Sequence, residues 1–225
     1  LALAVSDPRW SAVDDYIAGK LIGEDAALAA ALADNRRAGL PAIDVSPAQG
    51  KLLQLLAKGV GARRILEIGT LGGYSTIWLA RALEPDGRLV TLELDPAYAA
   101  VARMNIDQAG VGDLVEIRIG PACDTLADLC GGDDASFDFI FVDADKENYA
   151  AYLGYAIRLS RPGTMLVFDN VVREGEVMNP QSDDPKVPGT RQLYDALQDN
   201  RRIDATAIQT VGSKKWDGFL LALVQ

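Results

Sequence analysis

Two apolar runs of this chain end in acids. Phe139-Ile140-Phe141-Val142 ends in Asp143, with Ala144, Asp145 and Lys146 following, and Met165-Leu166-Val167-Phe168 ends in Asp169 and Asn170. If these runs are neighbouring parallel strands, they end at one edge, and Asp143, Asp169 and Asn170 converge there. Two carboxylates and an amide oxygen make a hard oxygen site, suited to Mg2+, with Ca2+ or Mn2+ as alternatives. Without a cation the two carboxylates would repel each other. The competing reading is that each aspartate caps a nearby helix. Lys146, three residues past Asp143, is either a solvated lysine paired with Asp145 or Glu147, or a general base whose pKa a divalent cation lowers. The matching chemistry is ionisation of a phenol, which costs roughly 4 kcal/mol at neutral pH. A cation beside the oxygen could offset most of that.

A second stretch runs from Arg64 to Ser75. An apolar segment carries Glu67, and a turn with Gly69, Gly72 and Gly73 leads into a helical run. Glycines let backbone approach a ligand closely. The spacing is not the G-x-G-x-x-G of a dinucleotide site, and Glu67 would repel a pyrophosphate. A carboxylate there suits a cation instead, such as the amino group of S-adenosylmethionine. The plainer reading is an ordinary tight loop. Glu93 ends the next apolar run, at the distance where an acid accepts hydrogen bonds from a ribose diol; otherwise it is a surface carboxylate with a basic partner. In Gly120-Pro121-Ala122, the small Ala122 side chain would let an adenine lie on the backbone.

Such residues need elements that bring them to one edge. From Arg64 onward strands and helices alternate, with strands over 65–68, 89–93, 115–119, 137–142 and 165–168. Helices are predicted over 75–82, 96–109, around 125–129, and over 148–159, where Tyr149, Leu153, Ala156 and Leu159 share a face. This alternation predicts an α/β fold with a parallel sheet covered on both faces. A polar loop over 171–189 precedes a helix over 190–200. Strands over 203–210 and 218–224 form a hairpin, which makes one edge antiparallel. Upstream, Asp7-Pro8 caps a helix through Trp10, Val13, Ile17 and Leu21, and residues 25–37 form a second helix. These two serve as a lid, as an oligomer surface, or as packing for the main domain. An extended linker over 40–45 leads to Ser46-Pro47, which starts a helix with Leu52, Leu55 and Leu56 as its buried stripe.

Composition narrows the field. The 225 residues carry a net charge of −10, which disfavours nucleic-acid partners. A local basic patch from Arg173, Lys186, Arg191, Arg201, Arg202, Lys214 and Lys215 stays open. There is no histidine, which removes Ser-His-Asp and Cys-His catalysis and imidazole metal sites. Cys123 and Cys130 lack C-x-x-C spacing and read as free buried thiols of a cytoplasmic protein. No apolar run reaches membrane-spanning length. The opening Leu1-Ala-Leu-Ala-Val5 reads as no signal peptide.

Glu67-Ile-Gly-Thr-Leu-Gly-Gly-Tyr-Ser75, Val142-Asp-Ala-Asp-Lys146 and Phe168-Asp-Asn170, in this order, closely resemble the cation-dependent O-methyltransferases of the caffeoyl-CoA and catechol type, in their bacterial branch. The resemblance runs from about Val45 to the C-terminus. It implies a Rossmann-like seven-stranded methyltransferase sheet, mostly parallel with an antiparallel last strand, in a homodimer. Residues 1–225 would form a single domain, with 1–45 as a helical lid or dimer segment and 46–225 as the core. The resemblance implies an S-adenosylmethionine site of Val45, Glu67, Gly69, Thr70, Ser75, Glu93, Ala122 and Asp143. It implies a divalent-cation site of Asp143, Asp169 and Asn170, with Lys146 as base. The step would be in-line attack of a phenolate oxygen on the sulfonium methyl. The acceptor would be a small phenolic molecule with vicinal oxygens, since two adjacent oxygens chelate one cation. Residues 189–194 match the family's substrate side only loosely, and the loop over 171–188 is this chain's own, which leaves the acceptor open. The alternative is a tRNA wobble-uridine O-methyltransferase on the same fold. A non-catalytic binding protein and a nicotinamide oxidoreductase are opposed, the first by the retained acids and lysine, the second by the glycine spacing and Glu67.

Overall fold

The central strands are buried almost throughout, their side chains alternating between two apolar clusters, so helices must cover both faces. The computed structural model describes residues 7–132 and 136–225; the opening stretch read for a signal peptide lies outside them. Five strands pair in parallel: β1 (Arg64–Ile68), β2 (Arg88–Glu93), β3 (Val115–Ile119), β4 (Phe137–Val142) and β5 (Ser160–Asp169). Strands β6 (Ile203–Gly212) and β7 (Lys215–Val224) form an antiparallel hairpin, with β7 inserted antiparallel beside β5. The order is β3-β2-β1-β4-β5-β7-β6, the seven-stranded sheet with a reversed last strand that the sequence implied.

The helices are α1 (Pro8–Ile17), α2 (Ala26–Arg37), α3 (Pro47–Gly59), α4 (Tyr74–Ala80), α5 (Pro96–Gln108), α6 (Ala122–Gly131), α7 (Tyr149–Arg158) and α8 (Lys186–Gln198). One sheet face buries Ile65, Phe139, Phe141 and Val167 with Leu53 of α3, Ile77 of α4 and Ile106 of α5. The other buries Leu66, Ile68, Ile140 and Phe168 with Leu126 of α6, Leu153 of α7 and Leu193 of α8. Period-two strands sandwiched between helices expose little of either face. Among the described residues no helix is long and apolar enough to cross a membrane.

Several sequence expectations shift. The buried stripe of α3 is Gly50, Leu53, Gln54 and Ala57, while Leu55 is 56% exposed. The face was chosen by close approach: a side chain at Gly50 would overlap the Trp78 indole. Helix α8 begins at Lys186, four residues before Thr190, and the polar loop contains a 3-10 segment over Arg173–Met178. Pro188 lies inside the first turn of α8, where proline is tolerated because its missing N–H has no intrahelical partner to lose. Cys123 and Cys130 are free, as expected, but half-buried.

Candidate active site

Strand β1 is where the sheet changes direction. From it β2 and β3 step one way and β4 and β5 the other. In open α/β sheets the crevice beyond the carboxyl ends at such a point takes the ligand. Ile68 pairs with Leu92 and with Val142, and Val142 with Phe168. The next residues along these rows are Gly69, Glu93, Asp143 and Asp169, so the register sets them side by side.

Gly69 has φ 102°, and a Cβ there would overlap the main-chain carbonyl of Asp143. Its amide donates to Leu92 O at 3.0 Å, and the Asp143 amide donates to Ile68 O at 2.9 Å. Only glycine fits both the conformation and the approach. Glu93 is 9% exposed. One carboxylate oxygen accepts the Leu71 amide (2.8 Å) and the other the Asp95 amide (3.0 Å). Two backbone donors aim it at the edge and leave lone pairs for a further donor. Ala122 opens α6, which has no side-chain cap. Val45 is buried in the same apolar cluster as α3 and α4, just ahead of Ser46, whose hydroxyl caps α3 by accepting the Gln49 amide.

Glu67 is fully buried. Its carboxylate accepts hydrogen bonds from Ser75 (2.6 Å), Thr76 (2.5 Å) and Thr91 (2.7 Å). Burial pushes its pKa up to about 7 despite these donors, with Asp143 adding to the rise. So Glu67 and Ser75 are partners, and Glu67 ties β1 to α4 and β2. Thr70 is buried against Thr91, hydroxyl to hydroxyl at 2.6 Å. Thr76 and Thr91 were not singled out in the sequence; a threonine inside an apolar run was their signal.

On the other side, Lys146 is 5% exposed and donates from Nζ to Asp143 Oδ1 at 2.7 Å. Its ammonium lies 5.0 Å from the centre of the Tyr149 ring. Burial lowers its pKa, but the Asp143 charge and Tyr149 outweigh burial, and the net direction is up. Asp169 is 6% exposed, and its Oδ1 accepts the Asn170 amide at 2.8 Å. Burial, then the Asp143 charge, push its acid upward, against Lys146 and the Gln49 side chain. Asn170 has φ 54°, a left-handed turn that asparagine tolerates. Tyr149 Oη donates to Asp169 O at 2.8 Å and pins this corner from α7. Among the described residues no three His, Cys, Asp or Glu side chains converge on one point; the candidate set is two acids and an amide. Gln49 and Tyr149 are further members that the sequence reading did not place at the site.

A parallel sheet with a reversed last strand, a glycine turn at its switch point and acids on the flanking strand ends define an α/β protein of the methyltransferase class. The O-methyltransferase family model matches residues 24–223. A catechol O-methyltransferase of Mycobacterium tuberculosis is 54% identical over 97% of this chain and 97% of that protein. One from Niastella koreensis is 52% identical over 96% of this chain and 98% of its own length. The crystal structure of an O-methyltransferase from Bacillus cereus in complex with SAH superposes with a TM-score of 0.95 at 54% identity, covering 96% of this chain and 99% of that one. The chain belongs to the O-methyltransferase family and is an O-methyltransferase.

Proposed function

We propose that this enzyme transfers the methyl group of S-adenosylmethionine to one of two adjacent hydroxyls on a catechol-like small molecule, and that the reaction needs a divalent cation. The observation that carries the reading is the pair Asp143 and Asp169 at adjacent strand ends, with Asn170 beside them and Lys146 on Asp143. Burial, and after it the Asp143 charge, raise the Asp169 acid. A cation is the natural relief for that repulsion, and two carboxylates with an amide oxygen suit a Mg2+-like ion, Ca2+ or Mn2+ being alternatives. Bound there, such an ion would lower the cost of ionising an acceptor hydroxyl.

The chain's own residues supply the rest. Gly69 lets backbone approach the donor, Glu93 takes its ribose diol, and Ala122 leaves room for its adenine. Val45, Thr70, Ser75 and Asp143 complete that wall. Glu67 reaches the donor's amino group through the hydroxyl network that it anchors. Lys146 takes the acceptor's proton as a neutral amine, so the ammonium that pairs with Asp143 must first lose its own proton to solvent, a loss that a cation held by Asp143, Asp169 and Asn170 would favour. The named activity of the two catechol O-methyltransferases and the SAH in the Bacillus structure support this acceptor and donor. The tRNA reading is not favoured. Arg173 is paired with Asp184 and Lys215 with Glu174, in a chain of net charge −10. We also treat the chain as a single domain, a homodimer and a cytoplasmic protein, the last supported by its free cysteines.

The test is methyl transfer from S-adenosylmethionine to a catechol probe. EDTA should abolish it and added Mg2+ restore it. Full activity of a metal-free preparation would sink the cation role, and incorporation into tRNA but not into catechol would sink the acceptor class.

A further inference from the structure

The N-terminal helix α2 ends on the glycine turn. Asn35, in its last turn, is 2% exposed. Its Nδ2 donates to Asp44 Oδ1 at 2.8 Å. Its Oδ1 accepts from Asn105 Nδ2 of α5 at 3.0 Å, and the same Asn105 nitrogen donates to Gly72 O at 2.8 Å. A Cβ at Gly72 would overlap the Asn35 amide. One buried amide therefore touches three parts of the donor wall: the glycine turn directly, α5 behind it, and Asp44, the residue before Val45. At its other end α2 is held to α4 by Asp25, which pairs with Arg81 at 2.7 Å.

We propose that Asn35 is a positioning residue for the methyl donor, fixing Gly72 and the 44–45 linker relative to each other, so that the N-terminal segment is part of the donor site. This rests on the S-adenosylmethionine reading above. A polar group whose donor and acceptor are both used in a buried network holds its neighbours in one geometry. The partners are far apart in sequence, so nothing local replaces it. By linkage, a segment that stabilises the donor-binding geometry is itself stabilised by the donor.

The experiment is calorimetric titration of the full-length protein with S-adenosylmethionine, with amide hydrogen exchange on α2. Asn35→Ala should weaken donor binding about tenfold, the size of one lost buried hydrogen bond, and raise KM for the donor more than it lowers kcat. Donor should slow exchange in residues 26–37 of the wild type and not in that variant. The exchanged pair Asn35→Asp with Asp44→Asn keeps a donor facing an acceptor and should recover most of the affinity. Asp44→Ala, in the linker, should weaken binding even if Asn35→Ala fails to fold. Arg37→Ala, on the exposed side of α2, should change nothing. Wild-type affinity in Asn35→Ala or, failing its folding, in Asp44→Ala overturns the proposal. So does no recovery in the exchanged pair. No binding to the wild type would instead overturn the donor assignment itself.

Discussion

Gly69 and Glu67 show how little freedom the turn has. Gly69→Ala asks an L-residue to hold φ 102° while its methyl overlaps the Asp143 carbonyl. The turn must move, and Asp143 with it. Donor affinity should fall by at least about tenfold, with a stability loss of roughly 1–3 kcal/mol; wild-type titration and melting curves would refute this. Glu67 makes a different prediction. Its carboxyl titrates near 4.5 when exposed and at about 7 in the fold. The folded state therefore holds its proton longer, and this contribution to stability is full below pH 4.5 and lost as pH rises through about 7. It is worth on the order of 3 kcal/mol. Glu67→Gln removes that dependence, so the stability of the wild type minus that of the variant should fall between pH 4.5 and 7. A difference that stays flat in urea melts across this range would show that Glu67 is ionised throughout. The sequence made Asp143 and Asp169 legible as neighbours because parallel strands in register end together. It could not show what Glu67 touches, because its partners lie 8, 9 and 24 residues away on other elements.

Asp25 joins two elements at once. Its side chain caps α2 by accepting the Leu28 amide at 3.0 Å, and it also pairs with Arg81 at the end of α4. The cap is worth about 1 kcal/mol or more. The ion pair, partly exposed on both sides, is worth less than about 1 kcal/mol. Asp25→Ala should thus destabilise clearly more than Arg81→Ala in urea unfolding; equal losses would mean that the ion pair, and not the cap, secures α2. Elements were legible where apolar period and caps agreed, as for β3 and β4, and at Asp7 and Ser46, each of which does accept a capping amide; Asp25, read as the first residue of its helix, is instead its cap. They were misread where the fold selected small residues over large ones. In α3 three leucines drew the stripe to Leu52, Leu55 and Leu56; Leu52 and Leu56 do pack partly buried against the core, but Leu55 is exposed and the close approach of Trp78 to Gly50 sets the buried face. The start of α8 was placed four residues late, because its first turn shows no apolar period.

At the scale of the molecule, α1 is the element that packing leaves unexplained. It buries no residue, and Val13, Tyr16 and Leu21, the last in the turn that continues it, are 54%, 67% and 76% exposed. Beside it runs β6, the edge strand, with Ile208 and Val211 also exposed; Asp14 accepts the Ser213 amide at 2.8 Å and joins α1 to the β6–β7 turn. The sequence already offered α1 and α2 as a lid, an oligomer surface or packing for the main domain, because they stand outside the strand–helix alternation, but that pattern alone cannot say what covers α1. An open edge next to apolar side chains invites another chain, and the proposed homodimer would use this face. Two copies of net charge −10 repel each other at long range, and salt screens that repulsion while leaving apolar burial intact. The dimer should therefore tighten as ionic strength rises towards about 0.15 M. Replacing Tyr16 and Leu21 together by glutamate should yield a folded monomer with an unchanged melting profile for the sheet. Sedimentation of the wild type as a monomer at every salt concentration, or an undiminished dimer in the double variant, would move the interface elsewhere or remove it.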